Sequence, residues 1–547
     1  MKLRNISIAA VALFAMGLVS CSDSFLDTSS KTESNTKSFF KSQTDAYRAL
    51  IGCYDGWRQT SSNPGTYGFY IASEVMAPEC FGGTGADNDR NYQVVDRFDI
   101  MQAPSYLNLY EDEWKRYYEG IYRCNELISY EEQINWTDSL VHDTYMGECH
   151  ALRAILYFDL VRLFGNVPLL TTASQDNLPQ ADPAEVYAVI FDDLQYAVDH
   201  IPANAYPKAK AADNDGHVTK YAAEALYARA YLFYTGYYGA SIEGVTKEKA
   251  LSYVEDVIGS GEYSLVEEYK NLWPAASAGV AEIGDAETLL GTYAGDGNSE
   301  TILALKFTNT QDYNGNADSN RWQVMVGMRQ ISNAPYGHGW GALTVNPEFV
   351  NQYETGDKRR SASVIDYEAE GITGNDRFDD FYKDQREYTG YSVKKYAPLC
   401  FADGTSAAKI DGSGDFQTQN HQDYVIVRYA DVLLMAAELG SGSAQSYLDQ
   451  VRSRAGLGSV SATKENILRE RRFELAFESI NYWDLLRQGV DYAAQQIATS
   501  GIAVKSGGED DSVVITAANI TAKRGLCQIP QNQIVLSNGV LKQNPGW

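Results

Sequence analysis

The stretch from Gly147 to Phe164 constrains the fold of this 547-residue chain more than any other. Leu152, Ile155, Leu156, Phe158, Leu160, Val161, Leu163 and Phe164 leave almost no polar face on a helical wheel. A helix that is apolar nearly all round is buried on several sides, so it predicts a body of helices packed about it. Asp159 and Arg162 stand at i, i+3, where they can pair. Gly165 and Pro168 end the helix.

Other segments fit such a body. Residues 45–59 and 109–132 read as helices. A further helix begins with a capping box, with Asp182 as N-cap, Pro183 at N1 and Glu185 at N3. Its stripe of Val186, Val189, Ile190, Leu194, Ala197 and Val198 follows the 3.6-residue period. Ala222, Ala225 and Ala228 lie on one face of 219–235 and let a neighbouring helix approach closely, as in stacked helix pairs. Ala444, Tyr447, Leu448, Val451 and Ala455 form another stripe. No fixed 34-residue repeat is present, so any repeat architecture is degenerate. The stretch from about 275 to 425 is rich in Gly, Asn and Asp, with strand-like pieces such as Ile302 to Phe307. The expected class is mainly α: a helical-repeat body with an irregular, loop-rich insert containing short strands. The Gly/Asn/Asp-rich region leading to Tyr92 reads as a long loop, and such loops are functional or disordered.

The N-terminus reads as an export signal. Lys2 and Arg4 precede an apolar run from Ile6 to Val19, which is too short for a membrane span. Leu18-Val19-Ser20-Cys21 looks like a lipobox, so lipid on Cys21 is the expected membrane attachment. Ser22-Asp23-Ser24-Phe25-Leu26-Asp27 resembles an acidic signal for the outer cell surface. The expected layout is a signal peptide at 1–20, a lipidated flexible tether at 21–38, and a body at 39–547. The body divides into a helical N-terminal block to about 274, the insert at about 275–425, and a C-terminal helical block at 426–547.

Composition narrows the partners. A net charge of −27 makes nucleic acid a poor partner, because the basic footprint is missing. Tyr is heavily used, with 39 against 19 Phe, and 8 Trp join them. Burying Tyr obliges each hydroxyl to find a partner, so core filling alone does not favour it. Aromatic faces with polar edges suit sugar rings, although most of these Tyr are expected half-buried between helices. Cys53, Cys80, Cys124, Cys149, Cys400 and Cys527 show no CxxC or Cys/His spacing, so zinc and redox motifs are missing. Cys124 and Cys149 read as buried thiols. No GxSxG, HExxH or P-loop is present.

Several blocks, taken together, resemble the SusD/RagB lipoproteins. They are Leu152-Arg153-Ala154 and Tyr157 to Pro168, Arg428 to Glu438, and Val451 to Leu457. Glu470 to Glu478, Trp483 to Arg487, Ile529-Pro530 and Gln543 to Trp547 complete the set. The resemblance implies tetratricopeptide-like helix pairs in a surface-facing, outer-membrane nutrient-binding lipoprotein. Such proteins sit as a lid on a SusC-like TonB-dependent transporter. They capture glycans, or peptides in the RagB branch, and do no chemistry.

The remaining residues are compatible with that reading. Glu470, Glu474 and Glu478 repeat at i, i+4. An exported glycan-processing enzyme would use two of them as an acid/base pair. Neighbouring arginines lower carboxylate pKa values, whereas a general acid needs one raised, so structural pairing with Arg471, Arg472 and Arg487 is expected. Arg153, Arg162, Arg428, Arg452 and Arg454 read as ties between helices. Trp57, Trp114 and Trp483 read as core.

Two stretches combine aromatics, amides and glycines. One runs from Thr66 to Tyr92 and holds Asp87, Asn88, Asp89, Arg90 and Tyr92. The other runs from Gln311 to Trp340 and holds Tyr313, Trp322, Tyr336, His338 and Trp340. The resemblance places a sugar-stacking aromatic at Gly339-Trp340, before Asn346-Pro347-Glu348-Phe349, and polar contacts in Asp87 to Asn91. The expectation is a Trp340 platform extended by Trp322, Tyr313 or Tyr336, with Asp87 to Tyr92 bonding sugar hydroxyls. No cofactor is expected. Asp87-Asn88-Asp89 offers oxygens to calcium but lacks the EF-hand pattern.

Overall fold

A computed structural model of the protein describes residues 39–61, 68–210, 216–310, 319–373 and 378–547. The segments expected to be signal peptide and tether, with Cys21, and Tyr313 lie outside the described residues.

The first four long helices are α1 (Gln43–Gln59), α2 (Glu111–Ser129), α3 (Ser139–Phe164) and α4 (Pro183–His200). They are followed by α5 (Lys220–Tyr238), α6 (Lys247–Gly259), α7 (Tyr429–Glu438), α8 (Ala444–Arg454) and α9 (Lys464–Glu474). Each packs on the next, and α6 packs on α7 across the whole intervening insert. The apolar half of α3 is buried on every side, as its sequence requires. The capping box at Asp182 forms as expected. Ala222, Ala225 and Ala228 of α5 are fully buried, while Val189 on α4 lies at the edge of its stripe, half-exposed.

Small residues set the closest crossing. A Cβ on Gly56 of α1 would lie 2.8 Å from the Gly120 Cα of α2, so neither helix tolerates a larger side chain there. Near that crossing Cys53, Cys124 and Cys149 meet, with their sulfurs within 4.8 Å of one another. Sequence spacing showed no cysteine cluster, because each thiol comes from a different helix.

The strands are short and pair two by two: β1 (Cys80–Gly82), β2 (Thr301–Leu305), β3 (Met328–Arg329), β4 (His338–Gly339), β5 (Leu343–Val345), β6 (Val364–Asp366), β7 (Tyr391–Val393), β8 (Tyr424–Arg428), β9 (Thr499–Ser506) and β10 (Glu509–Ile515). β2 pairs with β8, which brings the insert's start back to α7. One apolar core runs from Phe40 to Leu541 and includes Trp322, Val345 and Tyr424. The insert therefore shares the core of the helices.

The buried charges also tie the insert to the helices. Glu474 is fully buried and meets Arg359, Arg428 and Arg454. Glu470 meets Arg359 and Arg452, and Glu478 meets Arg428 and Lys395. The structural role stands, but the expected partners do not. Arg471 serves Asp431 and Asp484, Arg472 serves Glu79, and Arg487 serves Glu438 and Asp484. α9 ends at Glu474, and Phe477 and Ser479 take positive φ angles of 63° and 58°, which swing Glu478 off the helix face. Arg162 bonds Asp159 within its own helix and covers the rings of Phe69 and Phe158. Trp483 stacks on Phe69 and donates to Ser73 Oγ. Trp57 and Trp114 are buried.

Candidate functional site

β1 pairs antiparallel with β5, with Phe81 opposite Thr344. That pairing lays the segment after β1 against the segment before β5, although about 260 residues separate them. Gly83 N–H donates to Ala342 O at 2.8 Å, and Thr84 N–H donates to Gly341 O. A side chain at Gly83 would collide with the Gly341 carbonyl, so backbone touches backbone here. The region read as one long loop is mostly ordered. Phe69–Val75 is a buried helix and Cys80–Gly82 is β1, which leaves a short loop before Asn91.

That loop is held from behind. Arg386 donates to the carbonyls of Ala86 and Asn88, and its own N–H to Thr84 O at 2.7 Å. Ala86 N–H donates to Asp384 O at 2.8 Å. Asn88 Nδ2 donates to Thr84 Oγ1 at 2.9 Å. Asp87, Asn88 and Asp89 are left exposed. On the other wall, Trp340 N–H donates to Val324 O at 2.7 Å. The Arg321 guanidinium lies 4.5 Å from the centroid of the Trp340 ring, a cation–π contact that fixes the indole.

Between these walls lies a cavity of about 540 Å³. Trp340, Asp87, Asn88, Asp89 and Tyr92 all line it, from both stretches singled out in the sequence. Thr84, Tyr106, Arg329 and Gln330 line it too and were missed. Arg329 and Gln330 lay inside the second stretch but carried no aromatic signal. Tyr106 lies outside both stretches. Its hydroxyl donates to Asp89 Oδ2 at 2.6 Å, and the carboxylate beside it pushes the phenol pKa up. Arg329 Nε donates to Asp384 Oδ2 at 2.8 Å, so its charge is already matched. The cavity thus presents the Trp340, Tyr106 and Tyr92 side chains with carboxylates and amides. Backbone strain gathers here: Thr84 and Gln330 line the cavity at φ 77° and 60°, and Glu387 sits behind it at 53°. Such strain clusters at functional sites.

The layer behind the loop is charged and buried. Asp96 accepts from Gly82 N–H at 2.8 Å, and Arg97 bonds both Asp96 and Glu387. Burial pushes both carboxyl pKa values up, and the Arg97 guanidinium offsets this only in part.

Four of the expected contacts lie outside the cavity lining. Trp322 is 3 % exposed and packs edge-on against Tyr396 and Tyr424, so its ring is core rather than platform. Tyr336 is buried in a separate small cluster, and its hydroxyl donates to Glu370 Oε2 at 2.6 Å. His338 is half-buried, with Nδ1 2.8 Å from Ser332 Oγ and its ring against Phe416, and burial lowers its pKa. Arg90 donates to Gln102 Oε1 at 3.1 Å and does not line the cavity. Among the described residues, the buried cysteine trio is the group of three His, Cys, Asp or Glu side chains close enough to share a metal ion.

Comparison with known proteins places this arrangement. A model described as "SusD family" matches residues 371–547. A second, described as "Starch-binding associating with outer membrane", matches residues 24–232. SusD-like protein P2 of Formosa agariphila is 24% identical over 559 residues, covering 97% of each chain. A laminarin-binding SusD-like protein of known structure is 25% identical, with a TM-score of 0.68 over 93% of this chain and 100% of that one. Surface glycan-binding protein A from Bacteroides thetaiotaomicron, solved with laminarihexaose, aligns with a TM-score of 0.70 at 22% identity, over 92% of this chain and 100% of that one. The mainly α, helix-pair fold is the one these structures share, and the chain belongs to the SusD/RagB family.

Proposed function

We propose that this protein is a surface glycan-binding lipoprotein. It captures a neutral oligosaccharide in the Trp340 cavity and delivers it to a SusC-like TonB-dependent transporter, held to the outer membrane by lipid on Cys21. The observation that carries the reading is the convergence of Trp340 with Asp87, Asn88 and Asp89 in one cavity. Glycan sites pair an apolar face with a few placed polar groups. The names of the laminarin-binding and laminarihexaose-bound structures supply a first ligand class, the β-glucans.

The reading involves no catalysis and no cofactor. The glutamates that could have formed an acid/base pair are locked in ion pairs, and arginines pull the Glu474 pKa down to about 2, far from what a general acid needs.

The test is calorimetric titration of the soluble protein, starting after Cys21, against neutral hexasaccharides that include laminarihexaose and maltohexaose. Binding that depends on Trp340 supports the reading. Binding to a peptide array with no glycan binding moves the protein to the peptide-capturing branch. Release of shortened products from any glycan overturns the non-catalytic reading.

A further inference from the structure

A second cavity, of about 1020 Å³, shares no lining residue with the Trp340 site. One wall is α2. Trp114, Tyr118 and Tyr122 stand at i, i+4 and i+8, so they line one face of the helix. Successive rings are offset by about 6 Å along the axis, given the rise per residue. Trp114 and Tyr118 lie with centroids 5.3 Å apart. Trp114 is nearly buried, whereas Tyr118 and Tyr122 are half-exposed and present their rings to the cavity.

The facing wall mixes neutral hydrogen-bonding side chains with Leu170, Leu178, Leu536 and Leu541. Ser174, Gln175 and Asn177 come from the segment after α3, and Gln533, Ser537 and Asn538 from the short helix Gln531–Leu536 and its end. The cations present are already matched: Lys115 by Glu111 at 2.7 Å and Arg123 by Asp55 at 2.6 Å. Glu119, Glu126 and Asp176 add negative charge, which disfavours an anionic polymer. The two segments of the facing wall are tied to each other, and Tyr118 ties α2 to them. Asn177 Nδ2 donates to Ser537 O at 2.9 Å, Gln180 and Lys542 exchange two bonds, and Tyr118 donates to Pro168 O at 2.9 Å. The groove is preformed.

Half-exposed tyrosine rings facing amides, hydroxyls and leucines, with both cations matched, have the chemistry of a neutral sugar chain rather than of an acidic ligand. The geometry points to a second oligosaccharide-binding groove on α2, separate from the Trp340 cavity. The inference rests on the glycan reading of the first site. Tyr106, which lines the first cavity, and Trp114, which lines the second, are eight residues apart, a span of at most about 29 Å. A glycan long enough to span that distance and engage both would make the second contact intramolecular, raising avidity without new contacts at the first.

The experiment titrates laminarihexaose, maltohexaose, xylohexaose and mannohexaose into the wild-type protein and into Trp340→Ala, Tyr122→Ala and the double variant. Tyr122 is half-exposed, so its truncation should leave the melting temperature unchanged. A binding hexasaccharide should show two sites per chain in wild type, one in each single variant and none in the double. Retention on the parent polymer should fall at least tenfold in Tyr122→Ala. Hydrogen exchange should slow in 118–126 and 533–541 when the hexasaccharide is added to Trp340→Ala. One site in wild type that vanishes with Trp340→Ala, and no slowed exchange in α2, overturns the groove and leaves the glycan reading intact. One site that survives Trp340→Ala and vanishes with Tyr122→Ala upholds the groove and overturns the Trp340 site. No binding by any of the four sugars overturns both.

Discussion

Two regions of this molecule use charge in opposite ways. Around Glu474, carboxylates and guanidiniums are sealed from water, and each finds a partner on another segment. Around Trp340, Asp87 and Asp89 stay exposed on a loop fixed from behind by main-chain bonds and by Arg386. The first region contains most of the C-terminal signature residues; the second contains almost none. A buried ion cluster tolerates few substitutions, because removing one partner strands the others. A loop whose backbone is fixed by backbone can change its side chains, and thus its ligand, without touching the fold.

The largest expected effect tests the sealed region. Glu474→Gln should cost about 3–5 kcal/mol of stability, because it leaves three buried guanidiniums short of a charge. Thermal or denaturant melts of wild type and variant measure it. Glycan affinity of the folded variant should be unchanged. A normal melt would mean that the cluster is not what joins the insert to the helices.

Acid should find the same region. The folded Glu474 pKa is about 2 against an ordinary 4.5, and Asp431 is about 2 against 3.8. Both are depressed, so each contributes stability that is present above its unfolded pKa and is lost as pH falls toward 2. For Glu474 alone the shift corresponds to about 3 kcal/mol. Glu74 and Glu224 work the other way. Burial raises both to about 8, so they weaken the fold as pH climbs from 4.5 to 8. The melting temperature should therefore peak in mildly acidic solution and fall steeply below about pH 4.5, with a shallower acid limb in Glu474→Gln. A flat profile from pH 7 to pH 3 would contradict the pairing.

Trp340→Ala probes the open region. Losing an aromatic anchor costs about 2 kcal/mol of binding, roughly a thirtyfold drop in affinity. The melting temperature should fall by only a few degrees, because the indole is half-buried at the edge of the core, with one face against Arg321. Early melting with intact binding would make Trp340 a packed anchor and erase the contrast between the two regions.

The same contrast decides what could be read from the sequence. Helices announce themselves locally, so the buried α3, the capping box at Asp182 and the alanine face of α5 were all legible. The ion cluster was legible in kind but not in partners, because Arg359 and Lys395 reach Glu474 and Glu478 from the insert. At the site, Trp340 and Asp87 to Asp89 were found through a resemblance and through loop composition. Their convergence depends on β1 and β5, strands of three residues each, too short to show a period of two. Trp322 and Tyr336 were misread because an aromatic in a polar stretch looks the same whether it turns outward or inward.

The smallest expected effect separates the cavity's wall from its contacts. Tyr106 holds Asp89 through one hydrogen bond, 2.6 Å long, at a half-exposed position. Tyr106→Phe keeps the ring and removes only the bond. Surface changes of this kind leave stability nearly untouched. If Asp89 binds a sugar hydroxyl, freeing it should weaken binding roughly threefold, the order expected for one hydrogen bond exchanged with water. Titration with the best hexasaccharide reads this directly, and Tyr106→Ala provides the comparison. A loss confined to the alanine variant would make the ring the contact and leave Asp89 a bystander. Equal threefold losses in both variants would assign the effect to Asp89. The open region would then depend on oriented carboxylates as the sealed one does, with a single hydroxyl doing at the rim what three guanidiniums do for Glu474.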